Sequence, residues 1–183
     1  MNILLIANNK GLEETFVARH IVEYDLLIMF NHVYLLHQFD CLKSHSRKVL
    51  LLRENQTYAV KHELINPREM YFGVGNVDAF DWENVFFVDG DDDWFDSAVA
   101  NLKRQNVKRL KSDVLLDTFD IQMSKNPSTG FVGYLAAKSW YPEANVDLLG
   151  FTCPKELYWH DMSFEQTFYA KNGVRIIGDI LFQ

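Results

Sequence analysis

Apolar and polar positions along the chain first spell out a strand, a turn, a helix and another strand. "NILLIAN" is a short apolar run closed by "NNKG". Residues 12–23 then carry apolar side chains at helical spacing, with Leu12, Phe16, Ile21 and Val22 expected on the inner face. "YDLLIMFN" follows as a second strand, which completes a βαβ opening. Further strands are predicted at "KVLLLR", "MYFGVG", "NVFFVDG", "NVDLLGF" and "VRIIGDILF", with helices near residues 94–105, 129–140 and 162–172. Such alternation predicts a Rossmann-like α/β fold, a mostly parallel sheet with helices on both faces. No repeat, low-complexity tract or linker divides the sequence, so residues 1–183 are read as one domain. Ligands of such sheets sit beyond the carboxyl ends of the strands. "NNKG", "NH" after Phe30, "DGDDD" and "NPSTG" therefore share one functional rim.

Composition narrows the function. Apolar types make up 48% of the 183 residues and aromatics 14%, which is a globular composition. The apolar runs are strand-length, no basic segment and apolar signal core opens the chain, and no transmembrane segment is expected. Cys41 and Cys153 are too few for a disulfide framework and lack zinc-ligand spacing, so both are read as reduced and packed, as in a reducing cytoplasm. A net charge of -7 excludes general nucleic-acid binding, which needs a basic surface. Positive charge concentrates in "NLKRQNVKRLKSD", residues 101–113, read as a solvated helix face or loop in preference to a phosphate or lipid-surface contact.

Four stretches could carry chemistry. In "NPSTG", Pro127 fixes its own φ and pushes Asn126 out of helical geometry, Ser128 or Thr129 can cap the next helix, and Gly130 leaves room for close approach. The segment is either an ordinary helix start or a cradle for an anion on the helix N-terminus. In "IANNKG", Asn8 and Asn9 either form a strand-to-helix turn or offer amides to a nucleotide. In "HDMSFE", Asp161 or Ser163 can cap a helix, Glu165 falls in its first turn, and His160 lies just outside it, either as a surface or packed histidine beside a cap or as a near-neutral imidazole that can act as a base. The acidic "DGDDD" offers Asp89, Asp91, Asp92 and Asp93 either as helix-start residues or as oxygen ligands for a divalent ion. GxGxxG and Walker lysine motifs are both absent.

Taken in order, these pieces resemble the sialyltransferases of the animal type. "NILLIANNKGLEETFVARHIVEYDLLIMFN" is similar to their long first motif, with Ala7-Asn8-Asn9 standing for Gly-Asn-Ser and Met29-Phe30-Asn31 for Arg-Met-Asn. "NPSTGFVGYLAAKSWYPEANVDLLGF" is similar to their short second motif, which begins Pro-Ser-Thr-Gly and ends Gly-Phe. "HDMSFE" has the His-to-Glu spacing of their last motif. The resemblance implies a variant A-type glycosyltransferase fold, a CMP-activated acidic sugar as co-substrate, no metal and no further cofactor. It implies Asn8 and Asn31 on the nucleotide, Ser128, Thr129 and Gly130 holding the CMP-sugar, and His160 as general base; Asn9, beside Asn8, is added as a donor-binding residue and Glu165, in the helix start, as a supporting one. The chain departs from the pattern in lacking the family's additional histidine before His160, so leaving-group assistance is unassigned. The two family cysteines fall near Ile3 and Tyr141, which removes that disulfide and agrees with a cytoplasmic, bacterial protein.

The expected activity is inverting transfer of sialic acid, or of a related keto-sugar acid such as ketodeoxyoctonate, to a glycan hydroxyl. A lipid-linked or surface-polysaccharide precursor would be a suitable acceptor. Two alternatives stand beside it: a metal-dependent transferase of nucleotide-diphosphate sugars using Asp89–Asp93, and a non-catalytic module that binds CMP or a nucleotide sugar.

Overall fold

The computed structural model describes residues 1–9, 11–31, 38–53, 80–90, 95–96, 107–151 and 160–178. Within them lie strands β1 (Asn2–Ile6), β2 (Leu26–Phe30), β3 (Lys48–Arg53), β4 (Asn84–Val88), β5 (Val107–Leu110), β6 (Asn145–Leu149) and β7 (Ile176–Ile177). They form one sheet in the order β5-β4-β3-β2-β1-β6-β7, and every pairing is parallel. The accompanying helices are α1 (Glu14–Ile21), α2 (Asp40–Ser44), α3 (Ser112–Thr118), α4 (Thr129–Trp140) and α5 (Met162–Lys171).

Strand side chains alternate between faces, so each inner strand needs apolar residues at nearly every position once both faces are covered. Leu4, Ile6, Leu27, Met29, Leu50 and Leu52 join Val17 and Ile21 of α1 and Leu42 of α2 in one core. Ile3, Leu5, Leu26, Ile28, Val49 and Leu51 turn the other way, onto Leu115 of α3, Phe131, Val132 and Leu135 of α4, and Tyr169 of α5. Helix α4 is buried from Thr129 to Ala137, which explains why its sequence is apolar around its circumference. Gly133 permits the approach: a Cβ there would stand 2.6 Å from the Phe30 ring.

Beginning at β1, the chain builds outward through β2 to β5 and then returns to lay β6 on the opposite side of β1. The carboxyl ends of β1 and β6 therefore flank the switch point where such sheets hold ligands. There Asn9 Nδ2 donates to the Gly150 carbonyl at 3.0 Å and ties the two strand ends together.

Several details differ from the sequence reading. Val22 is 79% exposed, because α1 ends at Ile21 and the chain turns toward β2. Residues 101–106 of the basic stretch lie outside the described residues; Val107–Leu110 form β5, an edge strand among the described residues where a helix face or loop was expected, and Ser112 and Asp113 open α3. Lys108 donates to Asn84 Oδ1 at 2.8 Å, and Arg109 stacks 4.0 Å from the Phe95 ring centroid. Charged side chains suit an edge whose outer side must not recruit another strand. Helices α2 and α3 were not anticipated, and of "VRIIGDILF" only Ile176–Ile177 is strand among the described residues. Cys41 is free and packs against the core, where burial pushes its thiol pKa up. The expected strand "MYFGVG", most of the helix near 94–105, Asp91–Asp93 and Cys153 lie outside the described residues. Among the described residues no helix is long and apolar enough to cross a membrane.

Candidate active site

The Asn126–Gly130 segment runs across the carboxyl rim into α4, and three side chains from elsewhere hold it. His160 Nδ1 lies 3.0 Å from the Asn126 carbonyl. Arg53 Nη1 donates to the Pro127 carbonyl. Glu165 accepts from Ser128 N–H at 2.7 Å and from Ser128 Oγ at 2.6 Å. Ser128 is the N-cap of α4, with Oγ accepting from Phe131 N–H at 3.1 Å. A helix start leaves its first amides without intrahelical acceptors. Ser128 N–H is taken by Glu165 and Phe131 N–H by Ser128 Oγ, so the Thr129 and Gly130 amides remain unpartnered among the described residues. They stand at the positive end of the α4 dipole, which suits an anion.

Glu165 lies in the first turn of α5, as its position in the sequence suggests, but its carboxylate reaches a different helix. It supports the start of α4 and does not merely complement its own dipole. The residue is 1% exposed. Burial pushes its pKa up, against the hydrogen bonds from Ser128 and the nearby Arg53 charge.

His160 is half-buried, paired with Asn126 by a parallel bridge next to the α5 N-cap, Asp161. A carbonyl oxygen only accepts, so the imidazole nitrogen facing Asn126 carries the proton and Nε2 is left with its lone pair. Burial is the main cause of a lowered His160 pKa; Arg53 adds to it, and the Asn126 bond opposes it. Both effects favour the neutral ring that a base requires. Asp161 accepts from Ser124 Oγ at 2.6 Å and caps Phe164 N–H at 3.2 Å.

The asparagines divide into two kinds. Asn8 Nδ2 donates to the Phe30 carbonyl at 2.5 Å, and Asn31 Oδ1 accepts from Arg53 N–H at 3.0 Å. Asn8 Oδ1 and Asn31 Nδ2 thus meet no partner among the described residues and remain available on the rim. Asn9 is engaged at both ends, since Oδ1 also accepts from Gly11 N–H at 2.9 Å. It shapes the turn. Gly130 also serves packing, because a Cβ there would overlap the Phe151 ring at the end of the β6 crossing.

Asp89 ends β4 with a left-handed φ of 58°. Its carboxylate accepts from Ser112 N–H at 2.8 Å, Ser112 Oγ at 2.9 Å and Arg53 Nη2 at 2.6 Å. It therefore secures the start of α3 and pairs with Arg53, which commits most of its acceptor sites to protein donors. Among the described residues no group of three or more His, Cys, Asp or Glu side chains could hold a metal. Arg53 escaped the sequence reading; the available signal was a cation closing an otherwise apolar inner strand. A separate groove of about 460 Å³ opens at the amino end of the strands, lined by Tyr24, Tyr134, Lys138, Asp147 and Arg175. Tyr24, Asp147 and Arg175 there bond one another.

No protein-family model and no curated protein matches the sequence. Among solved structures the chain is similar to a mammalian sialyltransferase determined in complex with Gal-beta-1-3GalNAc-ortho-nitrophenol, at 16% identity and a TM-score of 0.54. The match covers 97% of this chain and 69% of that one, so the parallel sheet and its helices share the fold of a known glycosyltransferase.

Proposed function

We propose that this chain is a sialyltransferase-like glycosyltransferase that moves sialic acid, or a related keto-sugar acid, from CMP to a glycan hydroxyl. The observation that carries this reading is the Asn126–Gly130 segment, with a base candidate fixed at one end and two helix-start amides unpartnered among the described residues at the other. The likeness to a sialyltransferase structure adds support.

In the proposed reaction, the acceptor oxygen attacks the anomeric carbon from the face opposite CMP, and the bond from that carbon to the CMP phosphate oxygen breaks, inverting configuration. His160 Nε2 takes the hydroxyl proton, while Nδ1–H stays on the Asn126 carbonyl and holds the ring. The negative charge gained by departing CMP is met by the Thr129 and Gly130 amides and the α4 dipole, donors already in place before reaction. Asn8 Oδ1 and Asn31 Nδ2 supply one acceptor and one donor for the nucleotide. The reading needs no metal, and the bonds made by Asp89 support that part of it.

The test is a comparison of CMP, UDP and GDP as stabilisers in thermal unfolding, followed by assay of transfer from CMP-activated keto-sugar acids in the presence of chelator. CMP should raise the melting temperature most, by mass action on the folded state. Equal shifts from all three nucleotides, or none from CMP at saturation, would overturn the donor assignment. Binding without turnover or donor hydrolysis would favour the non-catalytic module.

A further inference from the structure

Arg53 closes β3, a strand otherwise made of buried apolar residues after Lys48, and its side chain is only 8% exposed. Removing a guanidinium from water is costly unless acceptors meet its N–H groups. Those acceptors reveal what the residue organises. Nη2 donates to Asp89 Oδ2 at 2.6 Å, at the end of β4. Nη1 donates to the Pro127 carbonyl. The backbone N–H of Arg53 donates to Asn31 Oδ1 at 3.0 Å, at the end of β2. Asn31 and Asp89 both hold left-handed backbone angles, φ 49° and 58°, at strand ends. Asn and Asp tolerate that region better than other non-glycine residues, yet it is still a sparsely populated one. In this structure both side chains so placed bond to Arg53.

Pro127 lies between the residue that orients His160 and the residue gripped by Glu165. A displacement of its carbonyl would move both neighbours, since peptide planes are stiff and the proline ring fixes φ. We propose that Arg53 is a positioning residue for the transfer reaction: anchored on Asp89, its guanidinium fixes the Pro127 carbonyl and thereby sets where His160 Nε2 and the Thr129 and Gly130 amides stand. This rests on the proposed roles of His160 and of the α4 start. A second consequence is electrostatic. The Arg53 charge disfavours imidazolium at His160. Among the described residues, the other charged groups near His160 and Arg53 are Asp161, bonded to Ser124 and Phe164 N–H; Lys125; Glu165, bonded to Ser128; and Asp89, paired with Arg53.

Three variants separate geometry from charge. Arg53→Met removes both; Arg53→Met with Asp89→Asn also removes the unpaired carboxylate, while asparagine keeps an acceptor for Ser112 and tolerates positive φ. Arg53→Lys keeps the charge but cannot reproduce the two-pronged grip on Asp89 and Pro127. NMR titration of the His160 ring in the ligand-free protein should give a higher pKa in both methionine proteins and little change in the lysine protein. Turnover should fall about tenfold to a hundredfold in all three, as expected for misplacing catalytic groups, and CMP-induced stabilisation should shrink. A folded double variant with wild-type His160 titration and wild-type CMP response would overturn the proposal. If the methionine proteins do not fold, wild-type turnover and CMP response in Arg53→Lys would overturn it. Should the wild-type protein neither bind CMP nor transfer, the functional reading fails separately, and the ligand-free titration still decides whether Arg53 governs His160.

Discussion

Removing the Glu165 carboxylate should loosen the start of α4 more than the loss of one surface charge would. Glu165 is 1% exposed and accepts two bonds from Ser128. Glu165→Ala deletes both and leaves Ser128 N–H without its acceptor in a part-buried site. A bond to a charged group contributes about 1.5–3 kcal/mol and a stranded donor costs about 1–3 kcal/mol; with relief of carboxylate burial offsetting part of this, the net loss should be about 2–4 kcal/mol. For a chain of this size that corresponds to a fall in Tm of roughly 5–15 °C. Glu165→Gln should lose much less. Its amide oxygen can accept from Ser128 N–H, and its NH₂ can donate to Ser128 Oγ, which then rotates its own proton away. The pH dependence provides a second check. Burial raises the Glu165 pKa in the folded state, so this group's contribution is fully present below the unfolded pKa and declines as pH rises through the folded value. Glutamine has no such titration. The stability of Glu165→Gln relative to wild type should therefore improve between acid and neutral pH. Denaturant unfolding across that interval measures both effects. An alanine protein within about 0.5 kcal/mol of wild type, the range of ordinary surface changes, would refute the capping role. So would a glutamine difference that worsens toward neutral pH.

His160→Ala should retain most CMP-induced stabilisation while turnover drops by about two to four powers of ten, measured by parallel thermal shift and transfer assays. His160→Asn should fail similarly, because an amide can occupy the Asn126 bond but takes no proton at neutral pH. Because the His160 pKa is lowered, activity measured against pH should persist further toward acid than an ordinary histidine allows, then fall as the ring protonates. Gly130→Val should displace the Phe151 ring, costing about 1–3 kcal/mol from overpacking in denaturant unfolding and weakening the CMP response. Transfer should persist in chelator; activity lost in chelator and restored by magnesium or manganese would point to metal chemistry instead.

The sheet was legible because its inner strands are apolar on both faces: "LLIMF" and "VLLL" have few other fates once α1 and α4 supply helical periodicity between strands. Helix α4 is expected near residues 129–140 from Pro127, a cap at Ser128 or Thr129 and the apolar run that follows; those are its bounds, and Ser128 is the cap. The edge strand β5 was missed for a physical reason. Its "VKRL" pattern is charged where an edge faces solvent, so it lacks the apolar signature of an inner strand. The functional rim could be listed from strand ends, but its bonds could not. Asn8 and Asn9 are adjacent and chemically identical, yet among the described residues the Asn8 amide oxygen meets no donor while Asn9 is engaged by Gly150 and Gly11. That distinction depends on a residue 141 positions away. Arg53 was hidden in the same way, since all of its acceptors are remote in sequence.

The same device recurs twice on this rim, with a different consequence each time. Asp89 grips the N–H and hydroxyl of Ser112 at the start of α3, and Glu165 grips the same two groups of Ser128 at the start of α4. In a self-contained capping box, a glutamate or glutamine three residues into the helix would reach back to the cap. Helix α4 has Phe131 at that position and no acidic residue in its first turn, whereas α1, α2, α3 and α5 each carry one. An acidic side chain within α4 would stand before its own dipole and oppose an incoming phosphate. Delivering the carboxylate from α5 satisfies the cap through Ser128 while the Thr129 and Gly130 amides meet no partner among the described residues. Burial further disfavours the ionised form of Glu165, and Arg53 adds a fixed positive charge close by. The helix start is thus stabilised by an acid carried on another helix, an arrangement that suits the anion-binding role proposed for it.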